Sequence, residues 1–146
     1  MIAVGMILAA VASYTAARWW QERDAGVGRR TPVVECDLRL GPCRHPLDEG
    51  AVTLAITPSD IPLMRPLILD VKVEGADVSS VLVEIRGLNM DMGLNRVRLQ
   101  TAGDGAWRGE TILPICSRRR MEWEASVRLD NGAGIEIPYR FITLRR

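Results

Sequence analysis

The chain has 146 residues, 25% of them charged, and a formal net charge of +1. That length suits one compact domain plus an appendage and is too short for two ordinary domains. The balanced charge lacks the one-sided excess of Lys and Arg that a nucleic-acid backbone demands, so nucleic acid is not an expected partner.

From Ile2 to Ala17 there is no charge (IAVGMILAAVASYTAA), and Arg18, Trp19, Trp20, Gln21, Glu22 and Arg23 follow. As a helix this stretch would rise about 24 Å, short of the roughly 30 Å hydrocarbon core. Trp19 and Trp20 bring it close to spanning length and fall where an aromatic belt meets the headgroups. Residues 1–23 are therefore expected to be an N-terminal anchor that crosses the inner (cytoplasmic) membrane once, with Trp19 and Trp20 at the interface. Two alternatives stay open. Ala10-Val11-Ala12 is an A-x-A tripeptide of the kind cleaved after a signal peptide, and a buried soluble helix would also be free of charge. The arginines that follow the segment run against export, because positive charge favours the cytoplasmic side.

Residues 24–32 (DAGVGRRTP) are polar, contain glycine and end in proline, as a linker does. Beyond them Cys36 and Cys43 bracket Gly41-Pro42 in CDLRLGPC, while Cys116 stands alone in LPICS. A Cys36–Cys43 bridge would stabilise by about 2.5 kcal/mol in the loop-entropy model and requires an oxidising compartment. The alternative is three buried free thiols in a cytosolic protein. Anchor and cysteine pair together point to a domain that faces the periplasm, with Cys116 as an odd thiol.

After the linker the apolar period becomes two. Alternation at 52–57, 67–74, 81–86, 121–129 and 135–143 is the signature of half-buried strands, with weaker candidates at 33–40, 96–101 and 107–113. Turn signals separate them: Gly41-Pro42, Gly75, Gly103-Asp104-Gly105 and Asn131-Gly132, the last a preferred type I′ hairpin dipeptide. The proline-rich stretch 58–66 (PSDIPLMRP) reads as a loop or edge connection, with Met64 as apolar cover. Residues 33–146 are thus expected to form an all-β domain, an immunoglobulin-like antiparallel β-sandwich of seven or eight strands.

Common catalytic schemes find little to use. His45 is the only histidine, so one chain cannot build a histidine-rich metal site. A Cys116–His45 pair would lack an evident orienting partner. No nucleophile elbow, phosphate loop or dinucleotide fingerprint occurs. The carboxylates alternate with apolar residues and are expected on solvent faces. The chain is not expected to be an enzyme.

The methionines are the unusual constellation. In GLNMDMGLN, residues 87–95, an extended backbone would point Met90 and Met92 to one side, about 7 Å apart. Met121 follows Cys116 in CSRRRMEW. Thioether and thiolate are soft donors that together select Cu(I), which makes Met90, Met92, Cys116 and Met121 a candidate cuprous site. Methionine also fills cores, and Met121 shares its face with Trp123 and Val127. A third possibility is an exposed apolar edge of Leu88, Met90, Met92 and Leu94 that docks on a membrane partner. Arg118-Arg119-Arg120 reads as a solvated loop, or as a contact with anionic headgroups.

The segments GLNMDMGLNRVRL, GAWRGETILPIC and RMEWEASVRL resemble small membrane-anchored bacterial proteins of the YtkA-like and FixH-like group. The resemblance covers roughly residues 50–145, and the glycine-flanked M-x-M and the W-x-G-x-x-x-L-P strand end carry most of it. It implies one N-terminal transmembrane helix and an extracytoplasmic immunoglobulin-like β-sandwich. It also implies an accessory role in respiratory oxidase assembly or copper handling. The chain departs from the group in having no histidine-rich cluster beside Met90 and Met92, and in having the Cys36/Cys43 pair. The expected function is a membrane-anchored periplasmic accessory protein that passes Cu(I) to a respiratory oxidase or another copper-handling protein. The alternative is a metal-free module that docks on a membrane complex through residues 87–95.

Overall fold

The structure is a computed structural model and describes residues 11–17 and 28–145. Residues 11–17 are helical and exposed. No helix among the described residues is long and apolar enough to cross a membrane. The rest of the expected anchor, Trp19 and Trp20 included, lies outside the described residues.

Ten strands follow: β1 (Arg29–Arg30), β2 (Cys43–Pro46), β3 (Ala51–Thr57), β4 (Pro66–Glu74), β5 (Ser80–Gly87), β6 (Leu94–Arg98), β7 (Gln100–Gly103), β8 (Ala106–Ile112), β9 (Arg120–Asp130) and β10 (Ile135–Leu144). They form two five-stranded sheets, β1-β10-β9-β5-β6 and β2-β3-β4-β8-β7. Every ladder is antiparallel except the short β1–β10 pair. The expected alternation puts one face of each sheet into a common core. Leu54, Leu69 and Val71 of one sheet and Val83, Ile85, Trp123, Val127, Ile137 and Tyr139 of the other belong to one buried cluster. The Tyr139 hydroxyl also ties the sheets together, donating to the Val52 carbonyl at 3.2 Å. Burial pushes that phenol well above its usual range.

The strands exceed the seven or eight expected, for identifiable reasons. The single candidate at 96–101 is two strands in different sheets, with buried Leu99 as the crossing point. The crossing rests on Gly109 of β8. A β-carbon there would lie 2.5 Å from Leu99 Cδ2 and 2.9 Å from Val97 Cγ1. Two short strands, β1 and β2, carried no alternation long enough to read, and β1 falls within the expected linker.

Conversely, 33–40 holds no strand. It contributes one parallel bridge, Val34 to Tyr139, before a turn in which Asp37 accepts hydrogen bonds from the Arg39 backbone and guanidinium. The Cys36–Cys43 disulfide closes this turn and seats Leu38 in the core. The β9–β10 connection is also longer than a two-residue hairpin. The strands stop at Asp130 and resume at Ile135, the Asn131 side chain accepts from Gly134 N–H at 3.1 Å, and Gly132 and Gly134 take φ of 85° and 68°.

Filling the Gly109 position should be costly because Leu99 is buried and has no room to move. Gly109→Val is expected to lower stability by about 2 kcal/mol, the usual scale of overpacking. Urea unfolding measures this, and an unchanged midpoint would mean that the strand does not cross where described.

Candidate functional site

The 87–95 loop does not run on extended from β5. It bends at 88–90 and folds back over the start of β9. Leu88 N–H donates to the Glu122 carbonyl at 2.7 Å. The Asn89 side chain then replaces a strand partner, donating to the Arg120 carbonyl at 3.0 Å and accepting from Glu122 N–H at 3.1 Å. This requires glycine at 87, where a β-carbon would lie 2.3 Å from the Met90 carbonyl oxygen. Asp91 accepts from Gly93 N–H at 2.9 Å, and Gly93, at φ 73°, turns the chain into β6.

The consequence is a sulfur pair. Cys116 Sγ and Met90 Sδ are brought into direct contact. Cys116 sits in the link from β8 to β9, is buried and is not part of a disulfide. Its carbonyl accepts from the Arg145 guanidinium at 3.2 Å, and its sulfur accepts from Arg118 N–H at 3.5 Å. Met90 is 38% exposed, so the pair has one buried and one accessible partner.

Of the expected four donors, the structure thus joins Cys116 and Met90. Met121 is buried in the core, and its terminal methyl lies 3.1 Å from a β-carbon built on Gly87, beneath the same loop. It is a packing residue that also reaches the pair's neighbourhood. Met92 does not share a strand face with Met90; it is half-buried and packs against the core. His45 pairs with Val52 and lines a hollow with Arg29, Asp48 and Asn131 at the other end of the sandwich, so a Cys116–His45 pair does not form. Among the described residues, no three His, Cys, Asp or Glu side chains gather as a metal-holding group.

The pole that carries the sulfur pair is also apolar. Met64, Leu88, Leu94, Ile112, Ile115 and Leu144 are exposed there, at the strand ends around Met90. Met64 was expected as cover; at 61% exposure it covers little, and only its backbone N–H is tied down, to the Leu113 carbonyl.

A second constellation was not foreseen. Three carboxylates of the first sheet, Glu84, Glu124 and Glu136, do not stand in solvent. Glu124 is 1% exposed, centred on the outer face, and its Oε1 accepts from Arg30 and Arg86, both at 2.8 Å. Its Oε2 has no hydrogen bond, with Arg140 Nε at 3.7 Å. Glu84 holds Arg96 at 2.7 Å and Arg128 at 3.1 Å. Glu136 holds Arg30 at 2.6 Å and Arg128 at 3.5 Å. The network therefore spans all five strands of the sheet. It floors a concavity of about 790 Å³ that runs from Arg30 and Arg128 to Met90. The charges stand two or four residues apart along β5, β9 and β10, on one face of each strand, which is legible; that the carboxylates lie underneath follows from strand order, which is not.

No family model matches the sequence, and no curated protein or solved structure is significantly similar to it.

Burial alone would push the Glu124 carboxyl up, but the hydrogen bonds and charges of Arg30 and Arg86 pull it below its ordinary value. A carboxyl lowered on folding contributes stability that is fully present above its unfolded value, about 4.3. That contribution is lost as pH falls through the folded value. Glu124→Gln should therefore cost about 2 kcal/mol near neutrality, less than a fully buried pair because the arginines stay solvated. The gap to the parent should close in acid below about pH 4. Urea unfolding across that range checks it, and a gap independent of pH would contradict the assignment.

Proposed function

We propose that the protein is a membrane-anchored, periplasm-facing β-sandwich of immunoglobulin-like type that holds Cu(I) between Cys116 and Met90. It passes the ion to a respiratory oxidase or another copper-handling membrane protein. The observation that carries this reading is the juxtaposition of the two sulfurs. Both donors are soft, and thiolate with thioether favours the cuprous ion over harder ones. Metal–sulfur bonds near 2.3 Å need sulfurs about 4 Å apart in a trigonal site. Met90 supplies that opening, because its side chain is flexible and partly exposed. Met121, buried beneath the same loop, is the candidate third donor, and reaching the ion requires its thioether to turn from the core. Met92 is not needed.

The disulfide supports an oxidising compartment, since such bonds do not persist among cytosolic thiols. The likeness to the YtkA-like and FixH-like group supports the anchor, the topology and the role, and here it belongs to the proposal. An ion with few protein ligands, one of them exposed, suits delivery better than storage. The apolar pole around Met90 favours a second reading, in which the same surface docks on a membrane complex without metal. Exposed methionine and leucine suit adaptable contacts.

An anaerobic competition titration with a Cu(I) chelator separates the two. Met90→Leu and Cys116→Ser should each weaken binding by roughly tenfold or more, the loss of about 1.4 kcal/mol or more, and Met92→Leu should leave it nearly unchanged. Equal affinities for parent and Met90→Leu would remove the metal and leave the docking module.

A further inference from the structure

The outer face of the first sheet presents arginine to its surroundings, although its central network contains both signs. The guanidinium-bearing side chains of Arg30, Arg86, Arg96, Arg128 and Arg140 are 41% to 63% exposed. The carboxylates that hold them, Glu84, Glu124 and Glu136, are 8%, 1% and 16% exposed. Seen from outside, five cations form a layer and three anions lie beneath it, an excess of +2. Toward the rim, Arg98 and Arg120 stand with Glu122 and Asp130, and Asp91 of the 87–95 loop lines the same concavity, so the excess there falls to +1. The buried carboxylates relieve repulsion among the arginines and fix the side chains, so less freedom is lost when the layer meets an anion.

The other sheet is different. Its Arg108 and Arg44 pair with Asp70 and Glu74, whose side chains are 36% and 49% exposed. Positive and negative groups there reach solvent alike. The asymmetry between the faces is therefore built by burial of acid on one side only.

The chain's own path says what the arginine layer can meet. Arg30 belongs both to the layer and to β1, the edge strand nearest the N-terminus. Residues 18–27 separate Gly28 from the end of the charge-free stretch at Ala17, a reach of at most about 35 Å for an extended chain. An anchor in a bilayer thus lets this face reach that bilayer's headgroups.

We infer that the outer face of the first sheet is a docking surface for anionic phospholipid headgroups. This rests on the anchor in the proposed function but not on copper. Docked in this way, the strands lie along the membrane rather than projecting from it. The concavity reaches from the arginines to Met90, so the sulfur pair is carried at the bilayer surface, level with the exposed parts of a membrane protein.

The test uses the full chain in lipid nanodiscs, one set of phosphatidylcholine alone and one with a third of the lipid replaced by phosphatidylglycerol. Arginine modification by phenylglyoxal, read peptide by peptide in a mass spectrometer, maps the covered side chains. In the anionic discs Arg86, Arg96, Arg128 and Arg140 should react several-fold more slowly than in the neutral ones. Arg44 and Arg108 should react equally in both, and raised salt should abolish the difference, because such contacts are screened. Equal modification of the two faces in both discs would overturn the docking surface while leaving the anchor intact. A chain that stays with neither disc would overturn both.

Discussion

The burial of β9 on both faces is the constraint on which the rest depends. Its odd positions, Met121 to Leu129, enter the core, which any amphipathic strand could do. Its even positions include Glu124 and Ser126, which are also buried. An ionised carboxylate at 1% exposure is tolerable only if its desolvation is offset by cations at hydrogen-bonding distance. Arg30 and Arg86 meet that need from strands on either side. The N-terminal edge strand is thereby tied to the centre of the sheet by charge, because β1 has only two residues with which to pair.

The same strand start organises the sulfur pole. Asn89 and Leu88 bond to the 120–122 backbone, so the loop is folded back by polar contacts. Met90 can then be placed for contact with Cys116 while remaining partly exposed. Core and candidate site share Met121, whose thioether fills space beneath Gly87. A site assembled this way has one buried and one partly exposed sulfur, as the proposed transfer of Cu(I) would require.

The sequence made the main strands legible because their alternation is long: β3, β4, β5, β9 and β10 all lie where period two predicts. It could not show that residues 94–103 change sheets at Leu99, since alternation is the same whichever sheet a strand joins. Nor could it show the turn at 37–40, where Cys36, Leu38 and Leu40 mimic a short strand. Residue type singled out Cys116 and Met90, whose sulfurs the fold brings together. Spacing misled for Met92, because the equal-side argument assumes an extended chain and the loop is bent. The Glu124 network was unreadable for a different reason. Carboxylates at alternate positions look solvated until strand order sets arginines on both sides of them.

The arginine face and the apolar pole meet at Met90, above the buried Cys116, and the proposed Cu(I) binding rests on that pair of sulfurs. X-ray absorption of the Cu(I)-loaded protein under anaerobic conditions tests that claim most directly. Two or three sulfur scatterers at about 2.3 Å are predicted for the parent, with one fewer in Met90→Leu. A first shell of nitrogen or oxygen alone, or a spectrum unchanged by Met90→Leu, would contradict it.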